Sequence, residues 1–395
     1  CIMSEQLKKM PCGIGLLAHV DAGKTTLSEA LLYESGAKRT FGRVDHGDTC
    51  LDTHALEREK GITIFSKQAV LETKNRCITL VDTPGHVDFS AETERTLPIL
   101  DCAVLIISGT DGIQAHTVTL WKLLQQYQVP TFLFINKMDL PGADRDALLR
   151  QLQQRLSPGC IDFGADREEI DEQAALCDEA LLESYLETGC VTDGNLRGLI
   201  AGRKIFPCCF GAALRQQGVA DFLRILDQFA PEFPKNPDFG ARVYKISRDQ
   251  QGSRLSWLKV TGGTLRVKAL LSGQDSGGDW AEKADQLRIY SGAKYKLTDQ
   301  VEAGCVCAVT GLERTFPGQG LGSEKMVQTP VLEPVLTYRM LLPEDCNIPE
   351  TMRKLRQLEE EDPQLHLLWE NGQIHVQIMG KVQLEIFRSL VQQRF

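Results

Sequence analysis

The chain has 395 residues, of which 42% are hydrophobic and 25% charged, with a formal net charge of −9. That balance is typical of soluble globular protein and excludes a fibrous, collagen-like or wholly disordered chain; the length suggests two or three domains. A chain this acidic is not a general polyanion coat, so any contact with nucleic acid must pass through local basic patches or through protein. The most hydrophobic stretch, residues 97–107, is interrupted by Asp101 and too short to span a bilayer, so no membrane partner is expected. Met3 is the expected start, and the residues after it lack the apolar run of a signal peptide. Thirteen cysteines form no C-x-x-C pair and read as reduced, packed thiols of a cytoplasmic protein.

Along the chain, apolar runs at 13–18, 77–81, 103–107, 131–135 and 205–210 read as buried strands. Between and after them, 24–33, 89–100, 116–127 and 219–229 read as helices, and 144–204 as an acidic, helix-rich insert. This alternation predicts an α/β domain over 1–235 with a mostly parallel sheet. Prolines at 231, 234 and 237 mark a joint, since proline fixes φ and removes a backbone donor. Beyond it, short β-rich runs at 242–246, 255–261, 265–271, 286–290 and 305–310 predict a small closed β-barrel over 236–330. After a second joint at Pro330 and Pro334, the order strand (332–342), helix (349–361), strand (365–369), strand (374–379), helix (381–393) predicts an incomplete ferredoxin-like α+β domain over 331–395.

Three motifs carry chemistry. Ala18-His-Val-Asp-Ala-Gly-Lys-Thr-Thr26 follows a strand and opens a helix. In such a loop, backbone N–H groups from Ala18, His19, Val20, Asp21, Ala22 and Gly23 onward cradle phosphates at a helix N-terminus. Lys24 reaches the β/γ-phosphates, the Thr25 hydroxyl binds Mg²⁺, and Thr26 continues the helix start. Asp82-Thr83-Pro84-Gly85-His86 ends the next strand. Asp82 there can hold Mg²⁺ through water, and Gly85 can bring its N–H close to a γ-phosphate; alone, the motif is equally a generic turn. Asn136-Lys137-Met138-Asp139 follows a third strand. A buried Asp139 can accept from guanine N1–H and the exocyclic amine, donors that adenine lacks, although a capping Asp at a turn would look similar. Their order, each at the C-terminal end of a strand, points to a P-loop GTPase using GTP/GDP and Mg²⁺.

Taken together, these motifs resemble translational GTPases of the elongation factor G type, and within that group the tetracycline-resistance ribosomal protection proteins. Ala18 in place of the usual first glycine fits the elongation factor G form of the loop. Arg58-Glu-Lys-Gly-Ile-Thr-Ile64 resembles the first switch, with Thr63 closing on Mg²⁺. Gly211-Ala212-Ala213-Leu214 resembles the guanine-contacting stretch, with Ala212 where serine is usual. Gly380-Lys-Val-Gln-Leu-Glu385 and the short insert favour the protection proteins. The resemblance implies a longer parent protein of which this is an N-terminal part, a ribosomal partner contacted through RNA and protein, and a monomer in solution. It gives His86 the role of orienting the attacking water, Val20 and Ile62 that of an apolar gate, and Asp21 that of ordering the loop or holding a monovalent cation. It also implies that residues about 40–65 order and disorder with the γ-phosphate, and that GTP hydrolysis displaces tetracycline from the ribosome. A translocation factor of the elongation factor G kind and a GTP-sensing binding module with little turnover are the alternatives.

Two further expectations concern charge. Arg242, Lys245, Arg248, Arg254, Lys259, Arg266 and Lys268 suggest a ribosomal RNA contact or a solvated face. The histidines at 46, 54, 116, 366 and 375 read as surface or packing residues.

Overall fold

A computed structural model describes residues 9–42, 57, 63–232, 236–326, 331–343 and 346–395. The proposed gate residue Ile62 and most of the 40–65 switch lie outside the described residues.

The first unit is a seven-stranded sheet built from β1 (Met10–Ala18), β2 (Lys67–Glu72), β3 (Arg76–Asp82), β4 (Cys102–Ser108), β5 (Thr131–Asn136), β6 (Cys160–Asp162) and β7 (Phe206–Phe210). The order is β2-β3-β1-β4-β5-β7-β6. Only β2 runs antiparallel, against β3. The flanking helices are α1 (Lys24–Glu34), α2 (Ser90–Thr96), α3 (Ala115–Gln126), α4 (Arg145–Arg155), α5 (Arg167–Ala175), α6 (Glu179–Thr188), α7 (Asp193–Ala201) and α8 (Val219–Phe229). Two apolar clusters cover the two sheet faces, one around Leu27, Leu31, Phe132, Phe134 and Phe222, the other around Leu105, Leu120, Leu124, Leu133 and Ile135. β1 has β3 on one side and β4 on the other, so the chain order reverses there. A crevice opens beyond the carboxyl ends of strands at such a switch point, and the 18–26 loop lies in it.

Three readings change. The strand β2 is absent from the sequence reading, because an edge strand with one buried face lacks a continuous apolar run. The helix expected at 89–100 is broken into a 3-10 turn at Val87–Phe89, α2, and a second 3-10 turn at Leu97–Ile99 that contains Pro98. The insert also returns a short strand, β6, to the sheet beside β7.

The second unit is a six-stranded antiparallel sheet with β8 (Gly240–Arg248) and β9 (Arg254–Gly262) near its middle, plus two short ladders, Thr264–Arg266 with Gln300–Glu302 and Leu270–Asp275 with Gly278–Lys283. All three enclose one core that includes Val243, Leu258, Leu287 and Val309. The single strand expected at 265–271 is divided at Lys268, which takes φ +65°. The third unit has a three-stranded antiparallel sheet, ordered Leu336–Met340, Gln373–Ile378, Leu368–Glu370, with α9 (Ile348–Glu361) and α10 (Lys381–Arg394). Among the described residues no helix is long and apolar enough to cross a membrane, and eleven cysteines are free.

The seven basic residues that suggested an RNA contact are mostly paired rather than free. Six of the seven meet carboxylates: Arg242–Glu324 at 2.7 Å, Lys245–Glu92 at 3.5 Å, Arg248–Glu360 at 3.1 Å, Arg254–Glu360 at 3.3 Å, Lys259–Asp101 at 2.6 Å and Lys268–Asp285 at 2.7 Å. Four of these pairs join the second unit to the first or the third.

Candidate nucleotide site

Strand β1 ends in a loop that turns tightly into α1. Asp21 takes φ +62° and Gly23 takes φ +92°. A Cβ on residue 23 would also stand 2.2 Å from Asn136 Nδ2, so glycine is required there twice over. The Ala22 N–H donates to His19 O at 3.2 Å, and no side chain caps α1. The first helical N–H groups therefore keep their donors for an anion.

Lys24 is buried and its Nζ donates to Asp82 Oδ1 at 2.5 Å and to Thr63 Oγ1 at 3.1 Å. The 82–86 turn is pinned by the Thr83 hydroxyl, which donates to Leu16 O at 2.8 Å. A Cβ on Gly85 would meet Ala18 O at 3.3 Å and Lys24 Cε at 3.8 Å, so this turn lies directly against the phosphate loop. The oxygens of Thr63 and Asp82 thus already bracket one positive charge. Hard oxygen donors around a cation, few in number, suit Mg²⁺, which keeps waters and phosphate oxygens as its other ligands.

Next to this cluster, Asn136 joins three loops. Its Nδ2 donates to Ala22 O at 2.9 Å, and its Oδ1 accepts from the Ala213 N–H at 2.9 Å. The Met138 N–H donates to Gly211 O at 3.0 Å, and Lys137 holds φ +64°. Ala212 and Ala213 are buried while Leu214 is exposed. Replacing the buried Asn136 by alanine strands Ala22 O and Ala213 N–H, at about 1–3 kcal/mol each. The nucleotide-free Asn136→Ala chain is expected to lose about 2–4 kcal/mol of stability, measured by urea unfolding; an unchanged midpoint would refute this bridging role.

Asp139 departs from expectation. It is solvent-facing rather than buried, and its carboxylate pairs with Arg215 at 3.5 Å. Arg215, in the Ala213–Arg215 3-10 turn, is the partner that the sequence reading missed; a lone positive charge gives no sequence signal for such a contact.

His86 precedes the Val87–Phe89 turn, and its Nδ1 accepts from the Asp88 N–H at 3.2 Å. The neutral ring therefore carries its proton on Nε2. Arg95 and Glu92 of α2 extend the contacts outward. Arg95 pairs with Glu92 at 2.8 Å and Asp362 at 3.0 Å, and Glu92 accepts from the Ser66 N–H at 3.2 Å. Burial works against the Glu92 charge, but Lys245 and Arg95 outweigh it and carry its pKa down to about 2.

His116, at the start of α3, is a packing residue, one of the two roles expected of it. It is buried, and its ring meets that of His19 edge-on at a centroid distance of 6.0 Å. Burial, followed by the nearby His19 and His86, lowers its pKa from 6.5 to about 4. The unfolded chain then takes up a proton that the folded chain refuses. Stability should fall as pH drops from about 6.5 to about 4, by about 2–3 kcal/mol. His116→Gln should flatten that slope in urea melts at pH 7 and pH 4.5; an unchanged slope would remove His116 as its source.

A phosphate loop at the switch point of a parallel sheet, with a lysine–threonine–aspartate cluster and an Asn-bridged base loop, defines a P-loop nucleotide-binding protein. Residues 11–232 match the elongation factor Tu GTP binding domain, and the chain belongs to that family. It is 32% identical to the tetracycline resistance protein TetP of Clostridium perfringens, over 96% of this chain and 62% of that protein. It is 30% identical to elongation factor G 1 of Geobacter sulfurreducens, over 97% of this chain and 66% of the other. It is 32% identical to an oxytetracycline resistance protein of Streptomyces rimosus, over 97% and 63%. The chain thus spans just under two thirds of the length of these relatives. A crystal structure from Thermus thermophilus shares the fold, with a TM-score of 0.85 over 97% of this chain and 66% of that one, at 24% identity.

Proposed function

We propose that this chain is the nucleotide-binding part of a ribosome-acting GTP hydrolase of the tetracycline-protection type. The observation that carries the reading is the contact of Lys24 with both Asp82 and Thr63 beneath the 82–86 turn. Phosphoryl transfer needs positioning and charge neutralisation more than covalent chemistry. In this reading Lys24 leaves Asp82 for the β/γ-phosphates, and the loop amides from Ala18 to Thr26 hold the remaining phosphate oxygens. Thr25 and Thr63, with Asp82 through water, would hold Mg²⁺, which supplies further neutralisation of phosphate charge. Asp139 reads guanine once Arg215 gives way, and His86 Nε2–H orients the attacking water. The relatives named for tetracycline and oxytetracycline resistance support the drug-displacing role; the elongation factor G relative supports translocation instead.

The test is GTP hydrolysis by this protein with and without ribosomes, together with release of labelled tetracycline. Ribosome-stimulated hydrolysis with release supports protection. Stimulation without release favours translocation, and no stimulation favours a GTP-sensing binding module.

A further inference from the structure

Asp88 faces two ways. Its backbone N–H donates to His86 Nδ1, and its Oδ1 lies 3.6 Å from that same nitrogen. Its Oδ2 accepts from the N–H groups of Val382 at 2.9 Å and Gln383 at 3.3 Å, in the first turn of α10. The residue before that helix is Gly380, which has no side chain to cap it. The approach is so close that a Cβ on residue 380 would stand 2.3 Å from the Asp88 carboxyl group. The helix N-terminus of the third unit is thus capped by a carboxylate of the first unit, two residues from His86.

The contact is braced on both sides. Ile64, Phe89 and Ile386 form a buried apolar cluster beside it. Gln383 Nε2 donates to Asp362 at 2.9 Å, and Asp362 holds Arg95 of α2.

An anion at a helix N-terminus is favoured by the unpaired N–H groups and by the helix dipole. While Asp88 is held there, two N–H donors satisfy Oδ2, and His86 Nδ1 meets a donor rather than an acceptor. The ring then keeps its proton on Nε2. If α10 departs, the carboxylate loses those donors. Oδ1, already near, becomes the strongest acceptor beside Nδ1, and the proton is favoured on Nδ1 instead.

We propose that Asp88 is a positioning residue through which docking of α10 fixes the His86 proton on Nε2, so that the third unit decides whether His86 presents a donor to water. The proposal deepens, and rests on, the reading of His86 as the water-orienting group. Nucleotide affinity, set at Lys24 and Asn136, is independent of this contact.

The experiment is nitrogen-15 NMR of the histidine rings in the 395-residue chain, with His86 assigned by its loss in His86→Ala. The wild type is expected to show Nε2–H. Gly380→Ala should speed amide exchange at Val382 and Gln383 and move the His86 proton to Nδ1. It should also slow single-turnover GTP hydrolysis by about tenfold or more, with fluorescent-GTP affinity held within about threefold. The double variant Asp88→Ala/Gly380→Ala should return the proton to Nε2, which loss of packing alone would not do. Val382→Pro removes the 2.9 Å donor without touching residue 380 and should repeat the Gly380→Ala result, should that variant not fold. If either variant frees α10 but leaves the His86 ring unchanged, or if the double variant still carries the proton on Nδ1, the proposal is overturned. A wild type that hydrolyses no GTP would instead defeat the functional reading of His86, while the ring signal would still decide the coupling.

Discussion

Replacing Lys24 with alanine is expected to weaken GTP binding about 100-fold. In the proposed reading the buried Lys24 meets phosphate, and a charge-assisted hydrogen bond to phosphate is worth about 1.5–3 kcal/mol, which is one to two decades in affinity. The nucleotide-free protein should suffer too. The substitution removes the Nζ that stands 2.5 Å from Asp82 and 3.1 Å from Thr63, so Asp82 must hold its charge in the interior without that cation. Losing one partner of a buried ion pair costs about 3–5 kcal/mol. Lys24→Ala should therefore melt well below the wild type even without nucleotide, and added GTP should raise its melting temperature far less. Lys24→Met keeps most of the volume and separates lost packing from lost charge. Wild-type GTP affinity in either variant, measured by fluorescent-nucleotide titration, would remove Lys24 from the phosphate site.

His86→Ala is the second large effect, and its signature is different. Binding should be preserved within about threefold, because the ring's only described hydrogen bond accepts the neighbouring Asp88 N–H. Hydrolysis should fall by about 10²–10⁴-fold, the usual contribution of a positioned proton donor or acceptor. The variant separates catalysis from affinity, whereas Lys24→Ala affects affinity first. Unaltered ribosome-stimulated turnover in His86→Ala would move water orientation to another group.

How much of this was legible in the sequence depends on how local each feature is. The phosphate loop, the 82–86 turn and the 136–139 turn each sit at a strand end, and strand, turn and helix start are neighbours in the chain. Residues 24–34 and 219–229 form helices close to where the apolar spacing placed them. Contacts between distant segments were not legible. Lys259 and Asp101 are 158 positions apart, yet they meet at 2.6 Å. Composition marked Lys259 as a basic residue and could not reveal the acid that neutralises it. The same holds for Arg215 beside Asp139, and for His116, whose lack of ligand spacing hid its position against His19. Asp88 is the clearest case: it lies two residues past His86, while the Val382 N–H that it holds lies 294 positions later.

The fold also shows why the second and third units bear on the site. Lys245 donates to Ser66 O at 2.7 Å and faces Glu92, while Glu94 accepts from Val331 and Leu332 N–H at 2.8 and 3.0 Å. α2, which follows the 82–86 turn, is thus the element on which all three units converge.

The most direct test of the central claim is a competition measurement of GTP, ATP and XTP on the wild-type chain and on Asp139→Asn. Guanine presents two donors to Asp139, adenine presents neither, and xanthine presents one donor and one acceptor, which matches an asparagine amide. The wild type should prefer GTP over ATP by about 100-fold or more, and Asp139→Asn should lose GTP and gain XTP. Equal affinity for GTP and ATP in the wild type, or an unaltered base preference in Asp139→Asn, would contradict a guanine-nucleotide site.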